Sequence, residues 1–139
     1  ERLAQLSSAV RLQVGAIVVK DDRIISIGYN GMPAGWDNTC EEEVITEYES
    51  YTDSALVTKP EVIHAESNAI SKLARGTESG EGATMFVTHQ PCIDCAKLIY
   101  QSGIATVYYK NEYRSTQGID FLNKSDVEVI HHHKLEGQP

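Results

Sequence analysis

The chain has 139 residues, of which 41% are hydrophobic, so it is long enough for one domain with one core and too apolar for disorder to be the default. Asp and Glu total 20 against 12 Lys and Arg, and the formal charge of −8 disfavours a long nucleic-acid partner while leaving room for a small anion held by one or two arginines. Three cysteines argue against a disulfide framework and for a reducing, cytoplasmic compartment, and no apolar run approaches the ~20 residues of a membrane span.

The first third of the chain predicts a helix, a hairpin and a glycine-rich loop. Apolar residues recur at helical spacing over residues 2–10. Two β-branched runs, 14–19 and 23–27, are separated by Asp21-Asp22 and predict a hairpin. Residues 28–35 then supply glycines that suit a ligand-binding loop, although on these residues alone an ordinary turn is the favoured interpretation. The chain opens at Glu1, without methionine or a signal-like segment, so we expect a trimmed N-terminus.

Residues 36–60 are acidic and poorly periodic. We interpret them as an insertion in a single domain that spans residues 1–139. A solvated surface loop is the favoured interpretation of this insertion, and a partly helical, lid-like segment is the alternative.

The remaining chain alternates helices and strands. The predicted elements are a helix at 62–74, a strand at 83–88, a helix at 92–102, a strand at 104–109, a short helix reaching about 122 and a strand at 127–130. This order predicts an α/β fold, with a three-layer α/β/α sandwich around a five-stranded mixed sheet.

Two short sequence motifs combine residue types that bind zinc, His64-Ala65-Glu66 and Pro91-Cys92-Ile93-Asp94-Cys95. Cys92 and Cys95 share one face at a helix start, where the helix dipole favours thiolate. With His64 they give three ligands and leave a fourth position open, as a catalytic zinc site does. Glu66 is then free to move protons. It lies two residues from His64, so the two converge only if the site lies beyond a helix end.

Each piece of this pattern also has an ordinary explanation. A histidine such as His64 alone predicts a core or surface residue, and a CxxC pair alone predicts a redox centre or half of a zinc finger. The joint pattern favours a catalytic zinc. The tract His131-His132-His133 lacks such a context, and we interpret it as an exposed tail.

The pattern H-x-E…P-C-x-x-C is the signature of zinc nucleobase deaminases, and the chain resembles the cytidine and deoxycytidylate deaminase superfamily. The sequence motifs at residues 11–16, 28–35, 88–92 and 113–114 are most similar to the deoxycytidylate branch of that superfamily. The resemblance spans about residues 11–122 and implies a cytidine-deaminase-like fold. It also implies zinc-dependent hydrolysis of dCMP to dUMP and ammonia, which supplies dUMP for thymidylate synthesis, with Glu66 taking a proton from the attacking water and passing it to the base and the leaving amine.

The resemblance further implies roles for individual residues. The substrate-binding set is Arg11 for the 5′-phosphate, Asn30 for the sugar, Ala65, and the pair Tyr113 and Arg114 near the pocket mouth. The effector-binding set is Gly28, Tyr29 and Gly31. The family pattern is a homohexamer that dCTP activates and dTTP inhibits, with Mg²⁺ accompanying the nucleotide effector.

Some relatives hold a second, structural zinc through a cysteine where this chain has Ala9. Ala9 cannot bind metal, and Cys40 and His89 alone make a poor closed site. We interpret Cys40 as a small buried hydrophobe and His89 as a hydrogen-bonding neighbour of the site. The alternatives that stay open are a zinc deaminase acting on a free nucleoside or on tRNA adenosine, and a non-catalytic zinc-binding module.

Overall fold

The computed structural model describes residues 1–132. The main sheet contains the strands β1 (Gly15–Lys20), β2 (Arg23–Tyr29), β5 (Thr84–His89), β6 (Thr106–Asn111) and β7 (Glu128–His131), and a separate hairpin contains β3 (Glu41–Glu47) and β4 (Thr52–Thr58). The helices are α1 (Ala65–Arg75), α2 (Ile93–Gln101) and α3 (Gln117–Lys124).

The five strands of the main sheet run in the order β2-β1-β5-β6-β7. Strand β1 is antiparallel to both β2 and β5, whereas β5, β6 and β7 are parallel. Asp21 and Asp22 have φ of 50° and 60°, which suits the two-residue turn between right-twisted strands. The α/β class and the five-stranded mixed sheet predicted from the sequence are therefore confirmed.

The three helices share one core with one face of this sheet. Met85 and Val87 of β5 point into that core, together with Val107 of β6, and residues from all three helices complete it. Phe86, between Met85 and Val87 in the sequence, points to the other face of the sheet. There its ring stacks on that of Tyr108, with the ring centroids 4.8 Å apart. The N-terminal segment lies beside that second face, around a cavity of about 210 Å³. In the part of the chain that the structure describes, no helix is long and apolar enough to cross a membrane.

Two glycines allow the helices that matter for the site to approach closely. A Cβ on Gly28 would lie 2.3 Å from the Ala65 carbonyl oxygen, so glycine lets β2 pack directly on the start of α1. A Cβ on Gly118 would lie 2.2 Å from the Pro91 carbonyl oxygen. The start of α3 therefore packs against the residues that introduce α2.

Three sequence-based predictions need correction. The helix predicted over 2–10 is only a single 3₁₀ turn, Ala4–Leu6, because residues 7–10 extend to make contacts with other segments. The insertion is neither helical nor an irregular loop, since Glu41–Glu47 and Thr52–Thr58 pair as an antiparallel hairpin. His131 is the last residue of β7 and stacks on Tyr109 at 4.6 Å, so it is not part of a tail. His133 lies outside the described residues.

Candidate active site

The starts of α1 and α2 bring the three predicted zinc ligands together. His64 is the residue immediately before α1, with extended φ and ψ of −70° and 154°. Cys92 holds the same position before α2, with φ of −73° and ψ of 171°. Cys95 lies in the first turn of α2, and its backbone N–H donates to the Cys92 sulfur at 3.4 Å. Both helices thus present their positive ends to one point.

The three ligand atoms have the spacing that a tetrahedral zinc requires. His64 Nδ1 lies 3.3 Å from Cys95 Sγ and 3.5 Å from Cys92 Sγ, and all three atoms are within 4.8 Å of one another. Zinc bonds of ~2.3 Å to sulfur and ~2.0 Å to nitrogen give a sulfur–nitrogen separation of about 3.5 Å. The residues present therefore fit Zn²⁺, with three protein ligands.

The electrostatics of this cluster favour thiolate at one cysteine before any metal binds. Hydrogen bonds from Cys95 and from His64 lower the pKa of Cys92 to about 4. The hydrogen bond between Cys95 and Cys92, together with burial, raises the pKa of Cys95. A separate hydrogen bond between His64 and Cys92 raises the pKa of His64. A cation at this point would displace the protons that the cluster otherwise shares.

Glu66 lies beside the metal cluster without belonging to it. Its side chain is 4% exposed, and this burial raises the pKa of the carboxyl to about 7. A carboxyl with a pKa near neutrality can both accept and return a proton at working pH. The arrangement suits a general acid–base group next to a metal.

A cavity of about 460 Å³ opens onto this centre. Its lining contains eight of the residues predicted from the sequence: Arg11, Asn30, His64, Ala65, Glu66, Cys92, Tyr113 and Arg114. It also contains residues that the sequence did not single out as substrate contacts, namely Ala9, Leu12, Val14, Glu41, Thr58, Val62, His89 and Gln90. The volume is within the range of small-molecule sites in proteins.

Asn30 and Arg11 lie on one wall of this cavity. The Asn30 amide accepts a hydrogen bond from the Val14 N–H at 2.9 Å and donates one to the Leu12 carbonyl at 2.7 Å. It therefore holds the segment that follows Arg11. The Arg11 side chain is exposed and donates from Nη1 to Thr58 Oγ1 at 3.4 Å.

Gln90 positions the loop that carries the pair at the cavity mouth. Its buried side chain donates to the Ser115 carbonyl at 2.5 Å and accepts from the Tyr113 N–H at 3.4 Å. Tyr113 and Arg114 are exposed. The position of Gln90 directly before Pro91-Cys92 is the one signal that could have suggested this role.

His89 is a half-buried part of the cavity lining. Its Nδ1 lies 2.8 Å from the Thr88 hydroxyl, which also accepts a hydrogen bond from the Gly15 N–H at 3.1 Å. Burial lowers the pKa of His89, which favours the neutral imidazole. The hydrogen bond joins His89 to Thr88, which is not one of the three possible ligands, so the predicted role of His89 beside the metal stays a prediction.

The predicted effector residues lie behind the cavity wall. Gly28 packs against α1, and the Tyr29 carbonyl accepts a hydrogen bond from Asn68 at 3.1 Å. Gly31 forms two backbone hydrogen bonds with Ile63, at 3.1 and 2.8 Å. Within residues 1–132, none of the three contributes to the cavity lining.

Cys40 is fully buried and separate from the metal cluster. Its sulfur lies 3.4 Å from the Ser8 hydroxyl. Among the described residues, His64, Cys92 and Cys95 form the one group of three possible ligands. The structure thus gives no support for a second zinc at Cys40 in residues 1–132.

Comparison with known families places this geometry in context. A family described as the cytidine and deoxycytidylate deaminase zinc-binding region matches residues 2–111. ComE operon protein 2 of Bacillus subtilis is 42% identical over 113 residues, which are 81% of this chain but 56% of that protein. The deoxycytidylate deaminase of Enterobacteria phage T4 is 36% identical over 160 residues, covering 92% of this chain and 83% of that protein.

A solved structure agrees with these relatives. The dCMP deaminase of cyanophage S-TIM5, crystallised in complex with dCMP and dUMP, superposes with a TM-score of 0.79 and 45% sequence identity. The match covers 94% of this chain and 87% of that one.

Proposed function

Because the chain belongs to the cytidine and deoxycytidylate deaminase family, we propose that it hydrolyses dCMP to dUMP and ammonia. The observation that carries the proposal is the cluster of His64, Cys92 and Cys95 beside buried Glu66, at a cavity large enough for a nucleotide. The similarity to a phage dCMP deaminase that binds dCMP and dUMP supports the choice of substrate.

Glu66 performs the proton transfers in this proposal. His64, Cys92 and Cys95 would hold Zn²⁺, and the metal would supply an acidified water for attack on C4 of the cytosine ring. The Glu66 carboxylate accepts the proton from that water and donates it to N3. The Glu66 carboxylate next accepts the remaining proton from the hydroxyl now bonded to C4 and donates it to the amine. The C4–N bond then breaks as the C4 carbonyl forms, which releases ammonia and leaves the uracil ring with Glu66 again ionised. Burial of Glu66 serves both roles because it brings the pKa close to neutrality.

The rest of the cavity wall binds the nucleotide. Ala65, at the first position of α1, contributes backbone near the base. After its bonds to Leu12 and Val14, the Asn30 amide keeps one N–H and one lone pair for the sugar. Arg11 and Arg114 provide positive charge at the outer end of the cavity, where a 5′-phosphate would lie. Tyr113 borders the same mouth.

Regulation and assembly form the finer part of the proposal. We infer a homohexamer that dCTP activates and dTTP inhibits through the loop with Gly28, Tyr29 and Gly31, with Mg²⁺ accompanying the effector triphosphate. The support is the family resemblance of that loop. The enzyme would supply dUMP for thymidylate synthesis in the cytoplasm, where its three free thiols stay reduced.

One absorbance assay tests the substrate assignment. Loss of cytosine absorbance is followed with dCMP, deoxycytidine and dCTP at equal concentration, using protein with one zinc per chain. We expect dCMP to be turned over with the highest efficiency. A preference for deoxycytidine would support a nucleoside deaminase, and zinc binding with no turnover of any cytosine compound or of tRNA adenosine would support a non-catalytic zinc module.

A further inference from the structure

The β3–β4 hairpin is tied to the short segment that carries Arg11. Ser8 Oγ donates to the Asn38 carbonyl at 2.9 Å, just before the hairpin. The Arg11 guanidinium reaches Thr58 at the end of β4. The residues just before β3 and the last residue of β4 therefore both contact this segment.

Glu41 makes the central contact between the two segments. Its Oε1 accepts hydrogen bonds from the backbone N–H of Val10 at 2.7 Å and of Arg11 at 3.1 Å. Two N–H donors on one carboxylate oxygen fix the orientation of the peptide units on either side of the Val10 α-carbon. Glu41 thus sets the direction in which the Arg11 side chain leaves the backbone.

Burial separates Glu41 from the other acidic residues of the hairpin. Glu41 is 8% exposed, whereas Glu42, Glu43 and Glu47 are exposed. A buried carboxylate is costly unless it is hydrogen-bonded, so its two backbone donors account for its place in the fold. The exposed glutamates keep their contact with water, so they need no such hydrogen bonds from the protein.

We propose that Glu41 is a positioning residue that sets specificity for the 5′-phosphate by fixing the Arg11 backbone at the cavity wall. The inference rests on the proposed function, in which Arg11 binds that phosphate. It gives the acidic insertion a defined role, because the hairpin contacts the segment that carries Arg11 at the phosphate end of the cavity. Glu41 acts through Arg11, and its other carboxylate oxygen is not required to touch the nucleotide.

Kinetics of Glu41→Ala, Glu41→Gln and the matched control Glu42→Ala provide the first test. We expect Glu41→Ala to lower kcat/KM for dCMP at least tenfold, mainly through KM, and to lower the efficiency on deoxycytidine by less than about threefold. Glu41→Gln keeps an acceptor oxygen and should recover most of the loss, and Glu42→Ala should match the parent. In an Arg11→Ala background, Glu41→Ala should cause little further loss, because the two residues act through one contact.

Hydrogen exchange of the Val10 and Arg11 amides provides a second test that needs no activity. We expect Glu41→Ala to speed exchange of these two amides at least tenfold, with Glu42→Ala leaving them protected. Unchanged exchange would overturn the contact itself. Equal losses on dCMP and deoxycytidine, or full additivity with Arg11→Ala, would overturn the positioning role. If the parent protein prefers deoxycytidine while exchange responds as expected, the substrate assignment is what fails, and the phosphate-specific role falls with it.

Discussion

His64 and Glu66 face the same cavity although they lie only two residues apart. Inside a helix this spacing would place them on different faces. His64 stands just outside α1 in an extended conformation, and Glu66 occupies the second helical position. The change of backbone conformation between them lets one side chain reach the metal cluster while the other stays beside it.

This geometry predicts that Glu66 can be changed without loss of the metal. Glu66→Gln should keep one zinc per chain and lower kcat by at least ~10²-fold, because the amide cannot carry the proton. Turnover of dCMP by absorbance and zinc content by elemental analysis measure the two effects. The control is Glu78→Gln, a surface glutamate paired with Arg23, which should keep the parent kcat. Near-normal turnover of a zinc-replete Glu66→Gln protein would remove Glu66 from the mechanism.

The cluster of His64, Cys92 and Cys95 could be predicted from the sequence because its geometry is local. The CxxC spacing at a helix start places Cys92 and Cys95 within one turn of each other. His64 occupies the position just before α1, as Cys92 does before α2. The cavity walls were harder to predict. Gln90 and Glu41 act through backbone groups of distant segments, and such partners leave no regular spacing in the sequence.

The hairpin was missed for a related physical reason. Strands are recognised by alternation between a buried and an exposed face. Six of the seven residues of β3 and all seven of β4 are exposed. Neither strand therefore has a buried face, and apolar residues such as Ile45 and Leu56 show no alternation with polar ones. The glutamates dominated the composition, and the β-branched runs that form the strands carried no periodic signal.

The metal-free protein should show unequal reactivity of its two zinc-binding thiols. A pH of 6 lies above the Cys92 pKa of about 4, so Cys92 is a thiolate. Cys95, whose pKa is raised, stays protonated at this pH. Iodoacetamide should therefore alkylate Cys92 first, as followed by peptide mass spectrometry. Buried Cys40 serves as the internal control and should react last.

Two further arms make this prediction specific to the fold. Zinc added before the reagent should protect Cys92, and urea-unfolded protein at pH 6 should alkylate all three cysteines slowly and at similar rates. Equal labelling of Cys92 and Cys95 in the folded, metal-free protein would contradict the proposed charge distribution.

Regulation predicts a change in the shape of the saturation curve. If dCTP and dTTP favour opposite states of a hexamer, dCMP saturation should be sigmoidal, dCTP should make it hyperbolic, and dTTP should strengthen the sigmoid. Initial rates with and without each nucleotide, together with light scattering, measure this. A monomer with hyperbolic kinetics that neither nucleotide alters would refute it.

We expect Arg11 to distinguish a nucleotide substrate from a nucleoside by binding the 5′-phosphate. A guanidinium binds a phosphate through two parallel hydrogen bonds, and charge-assisted bonds contribute ~1.5–3 kcal/mol each. Arg11→Ala should therefore lower kcat/KM for dCMP at least tenfold and affect deoxycytidine far less. Arg11→Lys keeps the charge but loses the paired geometry, so it should fall between the two.

The comparison of substrates separates this contact from a folding defect, because a damaged fold would lower both efficiencies together. Arg75→Ala is a matched control, since Arg75 is an exposed arginine at the far end of α1 and should leave the ratio of dCMP to deoxycytidine efficiency at its parent value. A parallel loss on dCMP and deoxycytidine in Arg11→Ala would assign the phosphate to another residue. Arg114 would then be the next arginine to substitute, because it is the second arginine in the cavity lining.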